Sequence, residues 1–167
     1  MKLPICLIDV QTNTLCRKCN QLLREGKISK IDIEISKVLL DLSKTERELK
    51  SIAFYSAIEL DEVVLIITRH QDVPFLSKKE VIDKIKQVVY KEIRFLERTK
   101  DPKKLVESLL HPIPILNVST LYLPPFSDKE YKIEISKKYK NQLPIPEEVV
   151  VQTVTSVLET EAYIEYL

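Results

Sequence analysis

The stretch "SIAFYSAIELDEVVLIITRH", residues 51–70, decides the fold prediction for this chain. Both halves are rich in β-branched and aromatic residues, and a short acidic break around Asp61 separates them. Two such runs joined by a short polar break are typical of a β-hairpin. The sequence therefore predicts two strands here, and the neighbouring segments indicate what covers them.

Helices are predicted on both sides of this hairpin. On the N-terminal side, "SKID" at residues 29–32 predicts a capping box, and a helix from about 30 to 48 follows from the helical spacing of its apolar residues. On the C-terminal side, "SKKE" at residues 77–80 predicts a second capping box and a second helix. Ile93 and Phe95 then alternate with charged residues, as in a strand with one wet face.

The rest of the chain repeats this order of helix, strand, strand, helix and strand. "DPKKLVESLL" predicts a helix capped by Asp101 with Pro102 in its first turn, and a second helix opens at Pro146. The two copies are offset by roughly 70 residues, as expected of a structural repeat. The prediction is an α+β protein with a cysteine-rich segment at 1–28 and two modules at 29–100 and 101–167.

Composition narrows the class of protein. The chain has 167 residues and a net charge of +1, and no apolar run approaches the roughly 18 residues of a membrane span. The start "MKLPIC" lacks the apolar stretch of a signal peptide, so we expect a cytoplasmic protein without disulfides. One glycine cannot build a P-loop or a Rossmann fingerprint, and His70 and His111 lie in no catalytic motif, so we predict that the protein is not an enzyme.

A candidate metal site lies at the N-terminus. Cys16 and Cys19 form a C-x-x-C pair, and Asp9 stands three residues after Cys6. Thiolates are preferred zinc ligands, and a carboxylate is a less common one. The hypothesis is a structural zinc ion held by these four residues; free thiols packed as small apolar groups, or a disulfide, are the alternatives.

Two basic clusters are candidate phosphate-binding segments. Residues 77–104 contain ten basic and five acidic residues, and "SKKYK" at 136–140 adds a second cluster. The candidate RNA-contacting residues are Arg69, His70, Ser77, Lys78, Lys79, Lys137, Lys138 and Lys140. A solvated helix face explains the first cluster equally well. Tyr55, Tyr122 and Phe126 are candidates for stacking on bases or for ordinary packing.

The repeated order resembles the type II KH module, whose G-x-x-G loop brings the backbone close to single-stranded nucleic acid. In "FLSKKEVI", Ser77 and Glu80 stand at the glycine positions. The whole chain resembles archaeal NusA-like proteins that join an N-terminal cysteine cluster to tandem KH modules. The segments that carry the resemblance are "MKLPIC", "LCRKC", "EGKISKIDIEISKVLLDL" and "EYKIEI" followed by "LPIPEEVV".

This resemblance implies a zinc-binding knuckle followed by two tandem type II KH-like modules. It implies binding of single-stranded RNA in transcription or RNA metabolism, through phosphate contacts of the basic loops. The alternative is a protein-interaction module that has lost nucleic-acid binding and docks on RNA polymerase or a ribonucleoprotein. Neither function involves a membrane.

Overall fold

The structure is a computed structural model that describes residues 1–126 and 128–167. Within these residues it contains seven α-helices and two three-stranded β-sheets. The chain divides into two compact units, Met1–Arg98 and Thr99–Leu167. The α+β class predicted from the sequence is confirmed. Among the described residues, no helix has both the length and the apolar character that a membrane crossing requires.

Three helices open the first unit: α1 (Leu7–Thr12), α2 (Arg17–Arg24) and α3 (Lys30–Ser43). The capping box of α3 is confirmed, because the Asp32 N–H donates to Ser29 Oγ at 3.3 Å and the Ser29 N–H donates to Asp32 Oδ2 at 2.9 Å. The helix ends at Ser43, several residues earlier than predicted, and a 3₁₀ turn at Arg47–Ser51 follows. The carbonyl of Leu42 accepts from the N–H groups of Thr45 and Glu46, which satisfies this end of the helix.

The sheet of the first unit is built from β1 (Phe54–Glu59), β2 (Val63–Thr68) and β3 (Glu92–Glu97) in that spatial order. β1 and β2 form the predicted antiparallel hairpin. β3 runs parallel to β2, so the chain must cross over between them, and it does so through α4 (Val73–Leu76) and α5 (Lys79–Val89).

The core of the first unit lies between the sheet and the long helices α3 and α5. Ile35, Leu39, Phe54, Ile66 and Ile85 are all fully buried there. Polar groups reinforce this packing, because the buried Asp32 accepts from the Ala57 N–H at 2.6 Å and thereby ties the start of α3 to β1.

The second unit repeats the same order and strand directions. Its elements are α6 (Pro102–Leu110), β4 (Asn117–Leu123), β5 (Asp128–Ile135), α7 (Glu147–Leu158) and β6 (Glu161–Tyr166). β4 and β5 are antiparallel, and β5 and β6 are parallel. Asp101 caps α6 as predicted, since its carboxylate accepts from the Lys103 N–H at 3.0 Å. Val150 and Val154 of α7 and Ile133 of β5 are fully buried in this unit.

The second predicted capping box, at residues 77–80, is wrong. Ser77 ends α4, where its N–H donates to the Val73 carbonyl at 2.9 Å, and its backbone is close to helical. Lys78 takes the extended N-cap position of α5, and no side chain caps that helix end. A serine that closes one helix cannot adopt the extended backbone that an N-cap position requires.

Candidate functional sites

The four candidate metal ligands occupy equivalent places at the starts of two short helices. Cys6 is the N-cap of α1 and Asp9 lies in its first turn; Cys16 is the N-cap of α2 and Cys19 lies in its first turn. Because residues three apart on a helical turn share a face, each C-x-x-C or C-x-x-D pair aims both side chains in one direction.

These ligand atoms converge. One sulfur or carboxylate oxygen from each of the four residues lies within 4.8 Å of every other, and the Cys6 and Cys19 sulfurs are 3.6 Å apart. A disulfide would bring two sulfurs to about 2.0 Å. Two thiolates on a tetrahedral zinc ion, each at about 2.3 Å from the metal, lie about 3.8 Å apart. All three cysteines are free, and their spacing fits a shared metal ion better than a covalent bond.

Asp9, like Asp32 and Asp72, is a buried carboxylate, at 5% exposure. Among the described residues no lysine or arginine forms an ion pair with it. Hydrogen bonds from the Cys19 thiol and from the Cys16 N–H, the latter at 3.1 Å, hold the pKa of Asp9 below its ordinary value. A buried carboxylate kept in its charged form needs a cation, and a metal ion would supply one.

Cys19 is the most enclosed of the four residues, at 1% exposure. Burial, together with its hydrogen bond to Asp9, raises the pKa of the Cys19 thiol to about 12. Without a metal this thiol therefore keeps its proton. Since a metal binds the thiolate, ion binding would release that proton.

A small apolar cluster seats the N-terminal segment on α3. Ile5, Val10, Cys19 and Ile28 are buried together, and Ile33 and Leu40 of α3 pack against them. The segment thus has an apolar support of its own beside the ligands. A metal ion would add to this support by holding the two short helices together.

In the first unit the structure assigns internal partners to several candidate RNA-contacting residues. The Arg69 guanidinium binds the buried Asp72 through two hydrogen bonds, at 2.7 and 3.0 Å, and also donates to the Ser51 carbonyl at 2.6 Å. The Asp72 carboxylate in turn accepts from the buried Ala53 N–H at 2.9 Å. Arg69 therefore has a structural role that sequence reasoning missed.

The turn between α4 and α5 holds the remaining candidates of the first unit. Lys78 forms an ion pair with Glu48, which raises the lysine pKa. Ser77 and Lys79 are exposed. Because no side chain caps α5, the first N–H groups of this helix have no capping acceptor beside Lys79. His70 is also exposed, and its Nδ1 lies 3.7 Å from a carboxylate oxygen of Glu97.

The second unit carries its basic residues differently. Lys137, Lys138 and Lys140 lie in and directly after a 3₁₀ turn, Lys137–Tyr139, and all three are exposed. The Lys138 and Lys140 ammonium groups lie 4.8 and 5.4 Å from the ring centroids of Tyr139 and Tyr166. Over residues 1–126 and 128–167, none of these three lysines forms an ion pair.

The three aromatic residues that were candidates for stacking on bases differ in accessibility. Cationic groups of Lys2 and Arg98 lie 5.1 and 4.3 Å from the Tyr55 ring centroid, so this ring already has partners. Tyr122 and Phe126 are 66% and 82% exposed and remain accessible.

Comparison with known proteins shows a likeness of fold. No protein-family model and no curated protein matches this chain. Among solved structures, the crystal structure of APE1850 aligns with a TM-score of 0.59 and 13% sequence identity, over 80% of this chain and 99% of that one. At this identity the likeness concerns the fold. Because Met1–Arg98 alone is shorter than the aligned share, the likeness includes residues of both units.

Proposed function

We propose that this chain is a non-catalytic, cytoplasmic protein that binds single-stranded RNA and carries a structural zinc ion. The RNA-binding part rests on the KH-like order of both units, and the zinc part on the convergence of Cys6, Asp9, Cys16 and Cys19. Free thiols are consistent with a reducing compartment.

Zinc fits the donor set better than other common ions do. Three soft thiolates, with one carboxylate oxygen as fourth ligand, suit the fourfold coordination of zinc, whereas calcium and magnesium require oxygen ligands throughout. All four positions are filled by side chains, so a bound ion would leave no open coordination place for a substrate water. The role that follows is structural.

The zinc proposal is tested by metal analysis of protein purified without chelator. We expect about one zinc ion per chain. Cys19→Ser should lower the zinc content strongly, because Cys19 is the buried thiol, whereas Ser36→Ala, a matched change of a buried residue outside the cluster, should leave it unchanged. Wild-type protein with less than a tenth of an ion per chain would contradict the proposal.

The topology supports the RNA-binding proposal. In each unit a helix precedes an antiparallel hairpin, a polar segment leads into a helix, and the last strand lies parallel to the middle one. This is the order of the type II KH module, and its nucleic-acid loop would correspond to the turn between α4 and α5. The exposed Lys79 and the uncapped N–H groups of α5 are groups that bind phosphate oxygens.

We expect most of the RNA phosphate contacts to lie on the second unit, because its three candidate lysines are not paired with acidic residues in the part of the chain that the structure describes. Lys78 and Arg69 are engaged by acidic partners, so they offer little free positive charge. Lys137, Lys138 and Lys140 carry no such partner among the described residues and can each neutralise a phosphate. The single observation that carries the RNA proposal is this exposed basic cluster within a KH-like order of elements.

A salt titration of RNA affinity tests the proposal. We expect micromolar or tighter binding of a mixed-sequence single-stranded RNA at low salt, measured by fluorescence anisotropy. Lys137→Glu with Lys138→Glu should weaken binding at least tenfold and reduce the log–log salt slope by about 1.4, because two phosphate contacts are lost. The control pair, Lys27→Glu with Lys30→Glu, makes the same charge change at two exposed lysines outside both basic clusters.

The docking alternative keeps one specific observation in its favour. The ion pairs of Lys78 and Arg69 leave the first unit without a fully free basic loop, as expected if that unit had lost nucleic-acid clamping. Wild-type protein without micromolar RNA affinity at low salt would contradict RNA binding and favour a surface that docks on RNA polymerase or a ribonucleoprotein.

A further inference from the structure

The β4 strand presents an open edge. β4 pairs with β5 on one side in a continuous register, from Asn117 opposite Glu134 to Leu123 opposite Asp128. On its other side, no strand among residues 1–126 and 128–167 pairs with it. An edge of this kind carries a row of backbone N–H and C=O groups that can accept another strand.

The corresponding edge of the first unit is covered at its start. The Lys2 N–H donates to the Ile52 carbonyl at 2.9 Å, and the Phe54 N–H donates to the Lys2 carbonyl at 2.8 Å. Beyond Phe54, no strand among the described residues pairs with the outer edge of β1. The edge of β4 is therefore the more open of the two, because no such segment in the described part of the chain covers its start.

The side chains around β4 favour association. The strand reads "NVSTLYL" and contains no charged residue, although a charge is a common protection of an edge strand. Large apolar side chains are exposed on and beside it: Leu116 (57%), Leu121 (36%), Tyr122 (66%), Leu123 (41%) and Phe126 (82%). Side chains alternate along a strand, so Leu121 and Leu123 lie on one face of the sheet and Tyr122 on the other. Exposed apolar side chains thus flank the unpaired edge on both faces, as is common at interaction surfaces.

We propose that β4 pairs antiparallel with β4 of a second copy of this chain, which joins two three-stranded sheets into one of six strands. Pairing of identical strands about a two-fold axis is self-complementary, so one surface suffices for both partners. Since β4 is uncharged, no like charges stand opposite each other in the seam, and a net charge of +1 gives little repulsion between copies.

The register follows from the length of the strand. β4 has seven residues, so the register that pairs all of them is centred on Thr120. In that register Thr120 faces its own copy, and Val118 faces Tyr122 of the other chain. The exposed aromatic ring of Tyr122 then packs on a β-branched residue, a favourable cross-strand pair.

Analytical ultracentrifugation under reducing conditions tests the proposal. We expect wild-type protein at about 50 µM, a concentration above typical weak dimer constants, to sediment at twice the 19.4 kDa of one chain. Thr120→Lys places two ammonium groups opposite each other on the two-fold axis and should weaken the dimer at least tenfold. Ile8→Lys, which changes an equally exposed apolar residue outside β4, should leave the dimer intact.

Hydrogen exchange supplies a second measurement that does not depend on a variant. Amides of residues 117–123 should gain protection as the protein concentration rises, while those of β1 should not change. Wild-type protein that sediments as a 19.4 kDa monomer at about 50 µM overturns the proposal, even if another protein binds this edge. Equal weakening by Thr120→Lys and Ile8→Lys also overturns it.

Discussion

The two units share one order of elements and differ in what surrounds their sheets. In the first unit, β1 begins at a fully buried Phe54, and the N-terminal segment around Lys2 covers its start. In the second, most residues of β4 are exposed, and the apolar side chains at its end face solvent. The same topology thus supports one edge that is covered at its start and one that is open.

This difference teaches that the topology fixes which strand is at the edge but not whether that edge is available. The N-terminal segment around Lys2, which covers the start of β1, has no counterpart in the described part of the second unit. Two candidate basic residues follow the same division, because Arg69 and Lys78 of the first unit are engaged by Asp72 and Glu48, whereas Lys137 and Lys138 of the second form no ion pair among the described residues.

Metal removal should produce the largest difference between the units. If zinc holds α1 and α2 together, its binding contributes much of their local stability, since structural zinc sites in small domains bind with about 10 to 16 kcal/mol. A strong chelator should therefore abolish amide protection in residues 5–28 and leave that of residues 102–166 unchanged. Equal loss in both units, measured by hydrogen exchange, would contradict the assignment of the metal to the first unit.

Truncation of side chains on the two edge strands should have the next largest effect, on the free energy of unfolding. Phe54→Ala removes a fully buried ring from the core and should lower the free energy of unfolding by about 3 to 5 kcal/mol. Leu121→Ala, on the edge strand of the second unit, should lower it by only about 1 to 2 kcal/mol, because that residue is already 36% exposed. Chemical denaturation measured at a protein concentration at which the chain is monomeric compares the two. Similar losses would mean that the edges do not differ in burial.

Loss of the hydrogen bonds of Asp72 in the first unit should have a smaller effect on stability. Asp72→Ala leaves the buried Ala53 N–H without its acceptor and should cost about 1 to 3 kcal/mol. Asp72→Asn keeps an acceptor oxygen at this position and should cost less. If thermal and chemical denaturation show no loss for Asp72→Ala, Arg69 and Asp72 have no structural role, and Arg69 becomes available again as an RNA contact.

The pH dependence of Asp32 should be the smallest effect. Burial raises the pKa of this carboxyl above its ordinary value of 3.8, although its hydrogen bonds with Ser29 and Ala57 oppose the shift. The folded state therefore keeps the proton to higher pH than the unfolded state does. Relative to Asp32→Ala, wild-type stability should be greatest below pH 3.8 and should decline as the pH rises through the higher pKa of the folded state. An advantage that grows with pH over this range, measured by urea denaturation, would contradict the shift.

Local sequence signals predicted most of the elements. The hairpin at 51–70, the capping box of Ser29 and Asp32, and the Asp101 cap of α6 each depend on residues close together in the chain, and each is present. The second predicted capping box is absent because Ser77 already ends the short helix α4 directly before it. A four-residue helix leaves too weak a periodic signal to detect in a sequence.

By itself, the sequence determined the α+β class, the repeated order of elements and the four residues at the N-terminus that face one another, because spacing along a helix or strand sets which side chains share a face. Only the tertiary structure decided which charges are free and which edge is open. The partners of Lys78 and Arg69, namely Glu48, Asp72 and the Ser51 carbonyl, come together through folding, as do Lys2 and the segment before β1 that it covers. Contacts between residues distant in the chain leave no periodic pattern in the sequence. The sequence alone therefore does not show which charges and which strand edge stay free for a partner.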